Sequence, residues 1–116
     1  MKYSGSCHCG RIAFDVDVAE PGPVIECNCS YCSRKGSLLW FVPREKFTLR
    51  TPEANLSTYE FNTHRLHHKF CASCGIAPFT YGTDPKGNAM AAINVRCLEG
   101  VDVAALERMP FDGRSR

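Results

Sequence analysis

Cysteine spacing is the feature that most constrains how this chain of 116 residues can fold. Seven of the eight cysteines fall into three short clusters. Two of the clusters are pairs, and the third is a triplet; in chain order they are Cys7 and Cys9, then Cys27, Cys29 and Cys32, then Cys71 and Cys74. Two pairs make one zinc site with four thiolates, whereas the triplet leaves one position over. The division matters because closed zinc sites hold structure, while three protein ligands and an open position are typical of catalytic zinc.

The two pairs have the form of zinc knuckles. Each is followed directly by a glycine, which permits the positive φ that such a turn uses. We assign Cys7, Cys9, Cys71 and Cys74 to a structural zinc that cross-links the start of the chain to its middle, because closing a long loop stabilises a small core. Two alternatives remain: either pair joins the triplet, or the cysteines are ordinary buried thiols or disulfides.

The triplet is the candidate catalytic site. Cys27, Cys29 and Cys32 can wrap one zinc ion and leave the fourth direction to water, substrate or another side chain. The alternative is a second structural zinc that a distant ligand closes. The candidates for that ligand are Cys97 and, less favoured, His8, His64, His67 and His68. Cys97 also fits the core, because Ile93 and Val95 share its face and free cysteine is often a small buried hydrophobe.

Side chains around the triplet suggest how a substrate is held. Arg34 and Lys35 either meet the carboxylates of an anionic substrate or lie solvated in a turn. Tyr31 is expected near anything bound, whereas Trp40 and Phe41 are predicted to be core aromatics.

Composition narrows the class of protein. A hydrophobic fraction of 44% fits a soluble globular protein, and no apolar run is long enough for a membrane span. The first residues lack the apolar core of a signal peptide, so we expect the cytoplasm, where thiols stay reduced. The formal charge of +2 is too small to argue for nucleic acid. The length suits one zinc-binding domain over residues 1–116.

Short β-rich segments between frequent turn signals predict a mainly β fold. Only Val101–Met109 has a helical pattern, with Asp102 as N-cap and Pro110 as a stop. The predicted strands are Arg11–Val18, Val24–Cys27, Leu38–Val42, Phe47–Leu49, Thr58–Asn62, Arg65–Phe70, Phe79–Tyr81 and Ala89–Leu98.

Four motifs together resemble a known family. They are G-S-C-H-C-G at 5–10, C-N-C-S-Y-C at 27–32, F-C-A-S-C-G at 70–75 and N-V-R-C-L-E-G at 94–100. In this order, over nearly the whole chain, they resemble the glutathione-dependent formaldehyde-activating enzymes and the related centromere-protein-like zinc proteins. The resemblance implies a β-tent of several small antiparallel sheets with two zinc ions. The structural ion would match Cys7, Cys9, Cys71 and Cys74, and the catalytic ion would match Cys27, Cys29 and Cys32.

The resemblance also implies an activity. The founding reaction joins formaldehyde and glutathione into S-(hydroxymethyl)glutathione, and in reverse it is a carbon–sulfur lyase reaction. Zinc suits it, because metal binding deprotonates a thiol and holds the thiolate in place. The chain looks shorter than the founding type of enzyme, so the shared framework does not fix the substrate. The competing hypotheses are a non-catalytic module with two structural zincs and a thiol-based zinc or redox sensor.

Overall fold

Short strands dominate the computed structural model, which describes residues 3–18, 22–60 and 66–112. The mainly β class, with more than one sheet, is confirmed. Within these ranges the strands are β1 Tyr3–Ser6, β2 Ala13–Val16, β3 Val24–Cys27, β4 Leu39–Pro43, β5 Phe47–Leu49, β6 Leu56–Tyr59, β7 His67–Cys71, β8 Phe79–Thr83, β9 Ala89–Asn94 and β10 Arg108–Phe111. One α-helix, α1, spans Ser30–Lys35, and 3-10 turns span Arg44–Lys46, Glu53–Asn55, Val95–Cys97 and Val103–Ala105. No helix in these ranges has the length and apolar character that crossing a bilayer requires.

The strands form two sheets. The small sheet has the order β1-β2-β5 and is antiparallel. The large sheet has the order β10-β3-β4-β9-β8-β7-β6; among the strands of the described ranges, β10 alone pairs in parallel, with β3. A bridge between Gly5 and Leu98 ties the small sheet to the segment after β9.

The main core lies between the small sheet and one face of the large sheet. Phe14 from β2 stacks on Phe47 from β5 with ring centroids 5.4 Å apart, and Phe47 lies 4.6 Å from Phe79 of β8. Trp40 and Ile93 enter the same core from adjacent strands of the large sheet. Burying a side chain of this size stabilises the fold by about 1.5–3 kcal/mol. The inner face of the large sheet, which is the face toward the small sheet, is therefore buried in the main core.

The other face of the large sheet, called here the outer face, is also apolar. It carries Ile25, Leu39, Phe41, Met90 and Ala92, which alternate with the inward residues of β3, β4 and β9. Helix α1 covers one end of this face, where Cys32 packs against Leu39 and Ala92. A solvated face of an antiparallel sheet is normally polar, so the outer face departs from that pattern.

The C-terminal segment differs from the prediction. The expected helix over Val101–Met109 is reduced to the 3-10 turn Val103–Ala105. Asp102 does cap that turn, since its side chain accepts a backbone N–H at 3.2 Å. The following residues instead extend as β10, because pairing with β3 satisfies their backbone groups. Pro110 lies in this strand at the edge of the sheet, where a missing N–H is tolerated.

Other predicted elements agree in part. The predicted strands at 24–27 and 47–49 have the observed bounds. The predictions for Thr58–Asn62 and Arg65–Phe70 fall partly on residues 61–65, which lie outside the described residues. Strand β1 and helix α1 were not expected from the sequence pattern.

Candidate metal centres

Four cysteine sulfurs converge at the junction of the two sheets. The Sγ atoms of Cys7, Cys9, Cys71 and Cys74, called here the four-cysteine cluster, all lie within 4.8 Å of one another. Cys9 Sγ is 3.6 Å from both Cys7 Sγ and Cys71 Sγ. A tetrahedral zinc with bonds of about 2.3 Å places its sulfurs about 3.8 Å apart, whereas a disulfide requires about 2.05 Å. The spacing therefore fits four thiolates around one metal ion.

Tight turns bring these cysteines together. Cys7 follows β1, and Cys71 is the last residue of β7. The glycine after each pair has a positive φ, 84° at Gly10 and 81° at Gly75, a conformation that costs glycine little. Each pair can therefore turn back on itself so that both of its thiols face the same point.

Backbone N–H groups favour the thiolate form of two of the four cysteines, Cys71 and Cys74. The N–H groups of Ser73 and Cys74 both lie 3.4 Å from Cys71 Sγ, and the hydrogen bond from Cys74 lowers the pKa of the Cys71 thiol. The backbone hydrogen bonds of Ile76 and then of Cys9 lower the pKa of Cys74 to about 6. Hydrogen bonds of this kind favour the charged form that metals bind.

Three further sulfurs converge where β3 meets α1. The Sγ atoms of Cys27, Cys29 and Cys32, called here the cysteine triplet, also lie within 4.8 Å of one another. Cys27 ends β3, and Cys29 is the N-cap of α1, where its sulfur accepts the N–H of Cys32 at 3.2 Å. The helix ends at Gly36, whose φ of 75° suits a C-cap. One short helix thus places the three thiols on the same side.

No fourth ligand atom of the described residues joins the triplet at that spacing. His8 is exposed, His67 Nδ1 lies 2.7 Å from a carboxylate oxygen of Glu60, and His68 Nδ1 lies 3.1 Å from Thr80 Oγ1. His64 lies outside the described residues. Among the residues that the structure describes, the triplet is therefore a site with three protein ligands.

Cys97 does not join the sulfurs of the triplet. It ends the 3-10 turn Val95–Cys97 and is half-buried against the main core. Burial, and then the charge of Cys7, raise the pKa of its thiol to about 11. The thiol therefore stays protonated at neutral pH, as expected for a core cysteine.

Two cavities open beside the triplet. One, of about 510 Å³, is bounded by Cys27 and Cys32 together with the polar side chains of Glu26, Asn28 and Asp112. The other, of about 520 Å³, lies over the outer face and is bounded by all three cysteines. Both volumes suit a small molecule. A ligand can thus approach the triplet from either side.

The two basic residues after the triplet have different surroundings. Lys35 Nζ lies 4.8 Å from the ring centroid of Tyr31, and burial lowers its pKa against the opposing charges of Cys32 and Cys29. Arg34 is exposed and donates to the carbonyl of Ser30 at 2.8 Å. Of the two, Lys35 is the cation that offsets the charge of the triplet.

The adjacent aromatics Trp40 and Phe41 occupy opposite faces of β4. Trp40 is 5% exposed and lies in the core, as predicted. The same prediction for Phe41 is wrong: its side chain is 47% exposed on the outer face and borders the cavity there. Alternation along β4 explains the difference, but the run Leu38–Val42 is apolar at every position, so the sequence does not show which side of the strand faces the core.

Comparisons with known proteins agree with this geometry. Residues 2–108 match the family model of the glutathione-dependent formaldehyde-activating enzymes. Among solved structures, the chain is similar to the crystal structure of a Rhodobacter sphaeroides protein, with a TM-score of 0.79 and 29% sequence identity. The similarity covers 92% of this chain and 97% of that chain.

Proposed function

Because this chain belongs to the glutathione-dependent formaldehyde-activating enzyme family, we propose that it is a zinc-dependent carbon–sulfur lyase acting on a thiol adduct of formaldehyde. The family's adduct is S-(hydroxymethyl)glutathione. The observation that carries the proposal is the cysteine triplet, three converging thiols with open cavities beside them. Three ligands and an accessible position are what a catalytic zinc requires.

The two metal sites take different roles in this proposal. The four-cysteine cluster holds a structural zinc, because its four thiols complete a tetrahedron and join the small sheet to the large one. Cys27, Cys29 and Cys32 hold the second zinc and are the catalytic ligands. The proposal further takes residues 1–116 as one domain working in the cytoplasm.

The chemistry follows from the charges at the site. A zinc bound there would lower the pKa of an incoming thiol and hold its sulfur. The substrate sulfur gives up its proton and bonds to the carbonyl carbon, while the carbonyl π electrons move to oxygen, which takes up a proton. Nothing is oxidised or reduced, and the reverse reaction breaks the same C–S bond. Lys35 limits the charge that accumulates among the triplet and the substrate sulfur.

Metal content separates this proposal from a module with two closed structural sites. The wild-type chain should bind two zinc ions, Cys32→Ser should bind one, and the matched variant Cys97→Ser should still bind two. Adduct turnover, measured by exchange NMR of formaldehyde with glutathione and, in a second series, with the apolar thiol benzyl mercaptan, should disappear in Cys32→Ser and persist in Cys97→Ser. Loss of one zinc in Cys97→Ser, or wild-type turnover no faster than the uncatalysed reaction with both thiols, would contradict the proposal.

A further inference from the structure

A band of apolar side chains crosses the outer face and ends at the cysteine triplet. We call it the apolar groove; its apolar side chains include Ile25, Leu39, Phe41, Leu66, Met90 and Ala92. Cys27, Cys29 and Cys32 form one wall of the same cavity. The groove is therefore continuous with the proposed metal site.

Strand register shows that the side chains of the groove belong to one continuous face of the large sheet. Directly paired residues point to the same side of a sheet. Ile25 pairs with Leu39, and Phe41 pairs with Ala92. Ala92 also pairs with Thr80, which pairs with His68, so the face continues from β3 to β7.

The groove exposes more apolar surface than a solvated sheet face normally does. Phe41 and Leu66 are 47% and 45% exposed. Exposed apolar patches that line a cavity are often ligand-binding sites. Because the patch borders three thiols, its occupant is expected to bring a group that thiol-bound metal accepts, together with an apolar body.

The charges around the groove disfavour glutathione as that occupant. Among the described residues that line it, Asp84 is the one acidic or basic side chain apart from His68 and the cysteines. Burial lowers the pKa of His68 to about 4, so the imidazole is neutral. The other cavity beside the triplet has Glu26 and Asp112 and no lysine or arginine in its described lining. Lys35, the cation beside the triplet, already faces the charges of Cys32 and Cys29, so the described linings of the two cavities offer no further cation to the carboxylates of glutathione when these lose water.

We propose that the apolar groove binds the body of a neutral, apolar thiol, whose sulfur reaches the cysteine triplet, in preference to glutathione. The inference rests on the proposed function for its chemistry: the same C–S bond forms with formaldehyde, and the same proton moves from sulfur to oxygen. The groove adds the selection of the thiol.

Binding without formaldehyde tests the groove separately from turnover. The zinc-loaded full chain is titrated calorimetrically with benzyl mercaptan and with glutathione, so that both probes offer a sulfur and differ in the rest. We expect benzyl mercaptan to bind about tenfold more tightly, since a phenyl ring gains burial and loses no charge. Phe41→Ser should lower the affinity for benzyl mercaptan about fivefold and leave the affinity for glutathione unchanged.

Two more variants complete the design. Met109→Ser is the matched control: Met109 is 49% exposed on edge strand β10 and pairs with Ile25, so it lies on the same face but does not line the groove. It should change neither affinity. Met90→Lys adds a cation opposite Gly82. It should strengthen glutathione binding and so reduce the ratio by which the affinity for benzyl mercaptan exceeds that for glutathione. Zinc content of two per chain verifies that each variant folds.

Distinct results overturn the inference and the proposed function. Equal or tighter binding of glutathione, or equal effects of Phe41→Ser and Met109→Ser, overturns the groove assignment. Self-association that Phe41→Ser abolishes in sedimentation would overturn it too, because a second copy would then occupy the groove. Selective binding of benzyl mercaptan without accelerated adduct formation supports the groove and contradicts the lyase.

Discussion

Replacing Gly5 with alanine probes the contact between the small sheet and the segment after β9. An added Cβ would lie 2.5 Å from Phe14 Cζ and 2.8 Å from the carbonyl oxygen of Cys97. Neither neighbour can move easily. Phe14 is fully buried and stacked on Phe47, and the carbonyl belongs to backbone next to the Gly5–Leu98 bridge.

The size of the effect follows from these two overlaps. Overpacking a well-filled core costs about 1–3 kcal/mol, and two rigid neighbours place Gly5→Ala toward the upper end. Alanine restricts the unfolded chain and returns about 0.4–1 kcal/mol. We therefore expect the free energy of unfolding to fall by about 2 kcal/mol, which lowers Tm by about 8 °C in a chain of this size.

Urea unfolding at one fixed zinc concentration measures the loss, because bound metal also shifts apparent stability. Gly22→Ala is the matched control: no atom lies within 4 Å of its added Cβ, and its φ is outside the left-handed region. That variant should be unchanged or slightly more stable. If Gly5→Ala is as stable as Gly22→Ala, the packing argument is wrong.

Three further predictions concern the metal, the core and pH. Cys74→Ser should reduce bound zinc from two ions to one and cost about 3 kcal/mol or more of stability; elemental analysis showing two ions would contradict this. Phe79→Ala, at the centre of the aromatic core, should cost about 3–5 kcal/mol in urea unfolding, whereas Met109→Ala should stay within about 0.5 kcal/mol, and similar losses would refute the assignment of the core. The pKa of His68 is lowered from 6.5 to about 4. As the pH falls from 6.5 toward 4, the unfolded chain takes up the proton before the folded chain does. The free energy of unfolding should therefore be highest above pH 6.5 and fall by up to about 3 kcal/mol toward pH 4. His68→Gln should flatten this part of the stability curve between pH 6.5 and 4, and an unchanged slope would count against it.

Local sequence signals were sufficient for several strands. Val24–Cys27 and Phe47–Leu49 are short β-rich runs between turn residues, and their bounds agree with the structure. Such runs carry their own information, because the strand conformation depends on residue type and on the breakers at each end. Cysteine spacing likewise predicted two groups of thiols, since nearby thiols can share an ion only across tight turns.

Elements that depend on distant partners could not be predicted in this way. Helix α1 has only six residues and no hydrophobic period; it begins because Cys29 Sγ caps it and ends at Gly36. Strand β10 is extended because β3 lies beside it, which no local pattern shows. The helical pattern over Val101–Met109 therefore gives a wrong prediction.

The apolar groove can be recognised only from the strand register. The apolar run Leu38–Val42 predicts a buried strand and does not show that Leu39 and Phe41 face away from the main core. Only the pairing of β4 with β9, and of β9 with β8, places these side chains on one face with the cysteine triplet. The groove is thus hidden from the sequence, although the thiols are visible in it.

The distance along the chain between the two halves of the four-cysteine cluster has a consequence for synthesis. Cys9 and Cys71 are 62 positions apart, and a ribosome adds about 5–20 residues per second, so roughly 3–12 s pass between them. The cysteine triplet, by contrast, is translated within six positions. We expect the triplet of the nascent chain to bind zinc first. Cys7 and Cys9 then remain without their partners Cys71 and Cys74 for several seconds. Production of this protein therefore depends on a reducing environment during translation, before any fold protects those thiols.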